Sequence, residues 1–215
     1  MADTAFEYFA AMYETSPDPW GFEDRWYERR KYALTLAALP DRRYRRALEA
    51  GCANGALTEL LAPRCEELFA FDFFDEAVRR TTRRMRLQHH VHVVNARSPA
   101  YWPHGTGDLV VWSEVAYYMS EVSAERAVAG LERWLEPAGV IVAVHYTGET
   151  DYPRSGRDIG PWLDGIDFLE RLTTLVDPLF ELGVWRRRET AVSAPEDPRG
   201  SRSAALRSGA PSRGE

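Results

Sequence analysis

The chain has 215 residues but only two cysteines, Cys52 and Cys65, and one lysine, Lys31. Two isolated thiols give neither a disulfide framework nor the paired spacing of a zinc site, so a reduced, cytoplasmic protein is expected. No apolar run approaches membrane-spanning length. The start, Met1-Ala2-Asp3-Thr4, lacks the charged-then-apolar signal of an exported chain. No membrane partner is expected. Excess positive charge is missing as well: the net charge is −6, and a pI of about 5.5 argues against a dedicated nucleic-acid binder. Arginine carries almost all the positive charge, which reads as coding bias. What is present is a hydrophobic share of 45%, enough for a full core, in a length that suits one domain with an appended segment.

The organising stretch is Ala47-Leu48-Glu49-Ala50-Gly51-Cys52-Ala53-Asn54-Gly55-Ala56-Leu57-Thr58. A short apolar-ended strand runs into a small-residue turn and then a helix. Gly51 and Gly55 permit a sharp turn and close approach of a ligand to the backbone. Roughly twenty residues on, Asp72 ends a second apolar run, at the strand tip where an acidic side chain meets a ribose diol. Two readings compete. A nicotinamide-type site wants a second glycine where this chain has Ala53. A site for S-adenosylmethionine (SAM) has no pyrophosphate to cradle and keeps an acidic residue ahead of the first glycine. Glu49-x-Gly51-x-x-x-Gly55 resembles motif I of the class I SAM-dependent methyltransferases. An α/β turn that binds nothing is the remaining reading.

In order along the chain, Phe6, Phe9, Ala10 and Tyr13 predict a short helix over 4–14, broken by Ser16-Pro17-Asp18-Pro19-Trp20-Gly21. A helix from Phe22 to Leu39 follows, with Trp26, Tyr27, Leu34 and Ala37 as its apolar set. Asn54 is read as the cap of a helix over 55–62, and Asp75 as the cap of one over 76–86 whose arginines form a solvated face. Val91 to Val94 is a strand. The preceding and interleaved histidines, His89, His90 and His92, lack a carboxylate or cysteine at ligand spacing, so no metal is assigned. Asn95 and Ala96 end that strand near an adenine amine; Phe73 packs on adenine or simply in the core. Gly107 to Val115 is a strand buried on both faces, which delivers Ser113 and Glu114 to the cleft. Val122 to Trp134 is a helix, Leu135 to Gly139 a turn, and Val140 to Tyr146 a fifth strand ending at His145.

The wording Asp18-Pro19-Trp20-Gly21-Phe22, Trp26-Tyr27-Glu28-Arg29-Arg30-Lys31-Tyr32 and Leu57-Thr58-Glu59-Leu60-Leu61-Ala62, with Ser113-Glu114-Val115 and a paired tyrosine, resembles the NodS-like methyltransferase family over residues 18–146. That family N-methylates an amino sugar. The resemblance implies that the N-terminal helical segment, 1–40, lids a SAM-binding domain over 41–190. It implies Trp20, Tyr27 and Arg30 as cofactor neighbours, beside Glu49, Gly51, Cys52, Ala53, Gly55, Asp72, Phe73, Asn95, Ala96, Ser113 and Glu114. His145 and Glu114 are the candidate proton acceptors, each with a structural alternative, and Tyr117, Tyr118 and His145 the acceptor-binding set. The product would be S-adenosylhomocysteine (SAH). An O-methyltransferase of secondary metabolism, a non-catalytic SAM-binding protein and a nicotinamide oxidoreductase are the rivals.

Residues 148–160 read as a loop that closes over substrate or merely connects, Trp162 to Thr173 as a helix, and Leu179 to Arg187 as a sixth strand. The expected fold is α/β and Rossmann-like: a mostly parallel sheet with helices on both faces and a doubtful seventh strand. Either 189–194 supplies a stub of that strand or a partner subunit covers the edge as a homodimer. Beyond 191 the composition is that of a disordered tail.

Overall fold

The computed structural model describes residues 11–12, 18 and 21–189. Of the helix expected over 4–14, only Ala11 and Met12 are described, and both are helical. Trp20 and the tail from 191 lie outside the described residues.

Helix α1 (Trp26–Ala38) leads into β1 (Tyr44–Ala50), α2 (Ala56–Leu61) and β2 (Cys65–Asp72). Then come α3 (Asp75–Arg84), β3 (Val91–Asn95) and β4 (Gly107–Ser113). The second half is α4 (Glu121–Trp134), β5 (Leu135–Tyr146), α5 (Gly156–Asp164), β6 (Leu169–Val176) and β7 (Phe180–Arg187). Seven strands form one sheet in the order β3-β2-β1-β4-β5-β7-β6. Strands β1 to β5 are parallel, and β7 runs antiparallel to both β5 and β6. The central strands are apolar on both faces. Val110, Trp112, Ile141 and Ala143 belong to the core under α4 and α5; Leu109, Val111, Val140 and Val142 belong to the core on the α1 and α2 side. A strand covered twice has no room for polar alternation, which explains the unbroken apolar runs.

The seventh strand is therefore present, and the sequence reading is corrected on two counts. The stretch read as one helix, Trp162 to Thr173, is the end of α5 followed by β6. Ser155 and Asp158 form a reciprocal capping box that starts α5 early, and Gly165 closes it. Exposure then alternates residue by residue along β6, as a strand requires. The stretch read as the sixth strand is β7. The stub expected over 189–194 lies, from 190 on, outside the described residues.

The Leu135–Gly139 turn is a local irregularity inside β5. Gly107 pairs with Leu135, yet Leu109 pairs with Val140. Ala138 has φ +65° there. Two caps also differ. The residue before α2 is Gly55 in the left-handed region, with the Asn54 side chain accepting from Ala56 N–H at 3.2 Å. Asp75 is the first residue of α3 rather than its cap, and the turn before it is held by Asp72, whose Oδ1 accepts from Phe74 N–H at 3.0 Å. Helix α1 departs most from its expected face. Its buried residues are Glu28, Lys31, Tyr32 and Thr35, while Trp26 is 74% exposed and Ala37 is exposed.

Candidate functional site

The strand order reverses between β1 and β4, and a cavity of about 590 Å³ opens at their carboxyl ends. This is where open α/β sheets bind ligands, and the volume suits a nucleoside-sized molecule with room beside it.

One wall is the bend after β1. Gly51 and Cys52 N–H both donate to Phe71 O, at 2.8 and 3.0 Å, which ties the bend to β2. Gly51 has φ +74°, and a Cβ there would stand 2.4 Å from Val115 Cγ1. Glycine is needed on both counts. Ala53, at φ +47°, donates its N–H to Asp72 Oδ2 at 3.1 Å. Burial raises the Asp72 carboxyl, with backbone N–H donors from Phe74 and Ala53 opposing it. Glu49 is 2% exposed, and its Oε2 has no hydrogen-bond partner among the described residues. Burial pushes its carboxyl up to about 7 against the opposing Thr58 hydroxyl, which stands near it but makes no hydrogen bond of good geometry. A lone buried carboxylate oxygen facing a cavity is incomplete without a donor.

The other wall is built from α1 and the exit of β4. Glu114, at φ +57°, accepts from Lys31 Nζ at 2.6 Å through Oε1. Its Oε2 accepts from Tyr117 O–H at 2.8 Å and Tyr146 N–H at 2.9 Å. Burial pushes the Glu114 carboxyl up, but the Lys31 ammonium and these donors outweigh it, so it stays below the usual carboxylate range. Lys31 Nζ is also 2.9 Å from Glu28 Oε2. Tyr117 packs against Tyr118 and Tyr152 with ring centroids 4.6 and 4.8 Å apart. Burial, then the Glu114 charge, raises the Tyr117 phenol well above its ordinary value.

Of the predicted residues, Tyr27, Glu49, Gly51, Cys52, Ala53, Asp72, Phe73, Ala96, Ser113, Glu114, Tyr117 and Tyr118 all line this cavity. Four others do not. Gly55 makes the turn below it, with its α-carbon facing Thr81 and Arg84. Asn95 is exposed and donates to Asp75 Oδ1. Arg30 pairs with Asp177 instead of lining the cavity. His145 is 1% exposed, and its Nε2 accepts Ala116 N–H at 3.0 Å. Burial lowers its pKa to about 4, so it is neutral at pH 7 and walled off from the reacting space.

Glu28, Lys31 and Tyr32 were missed, and all three line the cavity. Their signal was a helix face carrying charge at the positions that usually hold core residues. The histidine cluster has local partners: His90 Nε2 meets Ala62 O at 3.0 Å, and His92 stacks on Phe69 with Nε2 3.2 Å from Glu67 Oε1. No group of side chains suited to a metal occurs among the described residues, and no helix among them is long and apolar enough to cross a membrane.

Several known proteins are similar to this chain. The chain is 39% identical over 127 residues to Nodulation protein S of Rhizobium tropici, covering 58% of this chain and 53% of the relative. It is 36% identical over 127 residues to the Sinorhizobium fredii protein of that name, covering 59% of it. The chain thus spans little more than half the length of these curated relatives. Among solved structures, a Pseudomonas syringae protein provisionally assigned as a methyltransferase is 39% identical, with TM-score 0.68 over 76% of this chain and 100% of that one. The N-methyltransferase NodS of Bradyrhizobium japonicum WM9, in complex with SAH, has TM-score 0.73 at 24% identity over 81% of this chain and 94% of its own. The fold is that of the class I SAM-dependent methyltransferases. A family model for Nodulation protein S (NodS) matches residues 13–143, more than half of the chain, which therefore belongs to the NodS family.

Proposed function

We propose that this chain is a SAM-dependent N-methyltransferase that acts on a small amine, with an amino sugar as the first acceptor to try. The observation that carries the cofactor is the conjunction, in one cavity, of the partnerless Glu49 oxygen, the Gly51 bend and Asp72 at the tip of β2. Glu49 would hold the α-ammonium of the cofactor. Asp72 would accept from the ribose hydroxyls, with Phe73 and Ala96 beside the adenine. When bound, SAM supplies a methyl group on a sulfonium and carries its own leaving group. Tyr27 offers an aromatic face to that cation. The segment ending in α1 serves as the roof, since Tyr27, Glu28 and Lys31 come from it.

On the acceptor side, Tyr117 O–H donates to Glu114 while Tyr118 stands in hydrogen-bond reach of the same oxygen, whose remaining lone pair would accept an amine N–H. The raised phenol stays protonated, so Tyr117 orients and does not deprotonate. Glu114, held ionised, steadies the positive charge that grows on the nitrogen and acts by its charge. The acceptor nitrogen reacts in its neutral form. His145 fixes the Ala116 N–H and thereby the Tyr117 turn; the structural alternative of the two sequence readings is the one we adopt. Two buried free thiols, Cys52 and Cys65, suit a cytoplasmic setting.

The decisive experiment is calorimetric titration with SAH and with NADH, followed by transfer of labelled methyl from SAM to glucosamine. SAH should bind and NADH should not. Asp72→Ala should weaken SAH by about 1.5–3 kcal/mol, the value of hydrogen bonds to a charged group. Binding of NADH, or SAH affinity indifferent to Asp72, would remove the reading.

A further inference from the structure

Every cation of this chain but one is an arginine. The exception, Lys31, is 1% exposed and sits in the wall of the reacting cavity. Its ammonium lies between two carboxylates, Glu114 at 2.6 Å and Glu28 at 2.9 Å, and 4.9 Å from the Tyr27 ring centroid. A buried ion pair is a poor way to gain stability, because desolvation offsets the attraction and apolar residues of like volume do as well or better. Glu114 adds a second cost, a non-glycine residue held at φ +57°. Backbone strain of this kind persists where the surroundings over-determine it, and it clusters at active sites.

We propose that Lys31 is a positioning residue for methyl transfer: its ammonium fixes the Glu114 carboxylate, and through it the Tyr117 hydroxyl, in the arrangement that receives the acceptor amine. The inference rests on the methyltransferase reading above. The chain of contacts is continuous, from Lys31 Nζ to Glu114 Oε1, and from Glu114 Oε2 to the Tyr117 hydroxyl. A lysine suits this place better than an arginine. Its compact ammonium can address two carboxylates on different elements at once, whereas a guanidinium fork would engage one of them in its own plane.

Removing the ammonium would leave Glu114 with the Tyr117 and Tyr146 donors but no counter-charge. Glu114 is faced by Tyr27, Glu28, Lys31 and Tyr32 from α1, by Tyr117 and Tyr118 from the turn after β4, and by His145 and Tyr146 from β5. Lys31 is the one lysine or arginine among these, and burial lowers His145 to about 4. Burial and the Glu28 carboxylate would then push Glu114 toward its protonated form.

The test follows the Glu114 carboxyl by NMR in SAH-saturated protein carrying isotope-labelled glutamate, assigned with Glu114→Gln. In Lys31→Met its proton affinity should rise by a factor of about ten or more, the effect of losing an opposite charge at contact distance. Lys31→Arg should restore part of the difference. In Glu28→Gln, which is isosteric and carries the test if the first variant fails to fold, Lys31 is left to Glu114 alone and the proton affinity should fall. Glu114 titrating in Lys31→Met as in the native chain, or an unchanged or higher affinity in Glu28→Gln, would overturn the proposal. In parallel, Lys31→Met should lose kcat for glucosamine at neutral pH, recover it as the pH rises, and keep its KM for SAM. A loss equal at every pH would mark Lys31 as merely structural and overturn the proposal too. Native protein that fails to bind SAH would instead overturn the methyltransferase reading, and the same Glu114 titration run without ligand would still show whether Lys31 fixes that carboxylate.

Discussion

Glu49 and His145 are both buried and titratable, and they tilt the pH dependence of stability in opposite directions. Burial raises the Glu49 carboxyl from 4.5 to about 7. Its stabilising contribution is full below 4.5 and is lost as the pH rises through 7, by about 3 kcal/mol in order of magnitude. Burial lowers His145 from 6.5 to about 4, so its contribution is full above 6.5 and is lost as the pH falls toward 4. Urea unfolding should therefore show Glu49→Gln gaining on the native chain as the pH rises from 4.5 to 7. Ligand binding carries the same carboxyl with the other sign. If Glu49 must be ionised to hold an ammonium, SAH affinity should strengthen as the pH rises through about 7, and titration calorimetry on Glu49→Gln should show that dependence gone.

At the level of elements, every strand but β6 was legible because each carries a continuous apolar run or ends in a turn with small residues. Helix α1 was legible as a helix, although it begins at Trp26 rather than at Phe22, but not in its orientation. Its Glu28, Lys31, Tyr32 and Thr35 recur at the spacing of a core face, yet they face a cavity and each other. Periodicity locates a buried face without saying what fills the space opposite. The α5–β6 stretch failed for another reason. Trp162, Ile166, Leu169 and Leu172 happen to fit a helical stripe, and only the Ser155 cap and Gly165 mark where the helix stops. The cavity wall that carries Glu49, Gly51 and Asp72 was readable because their spacing is local. The Lys31–Glu114 contact joins residues far apart in the chain and leaves no pattern in either neighbourhood. The irregularity in β5 offers a prediction on this scale. Ala138 is non-glycine at φ +65°, so Ala138→Gly should stabilise the fold by about 0.5–1 kcal/mol in guanidinium unfolding, the cost of a left-handed alanine less the extra chain entropy of glycine.

The whole molecule is a sheet whose functional end is assembled from the loops after β1, β2, β3, β4 and β5 and roofed by α1. Among the described residues, nothing after Leu179 lines the cavity, and β7 closes the sheet at Arg187. A chain ending at Glu189 should therefore keep the melting temperature and SAH affinity of the full length, as differential scanning calorimetry and titration would show. A single sealed lysine also has a practical meaning. Amine-directed acylating reagents would find no lysine side chain on the surface of the native fold, so coupling chemistry that depends on lysine decoration would pass it by. An acyl group on Lys31 would record the moment when the roof lifts from the cleft.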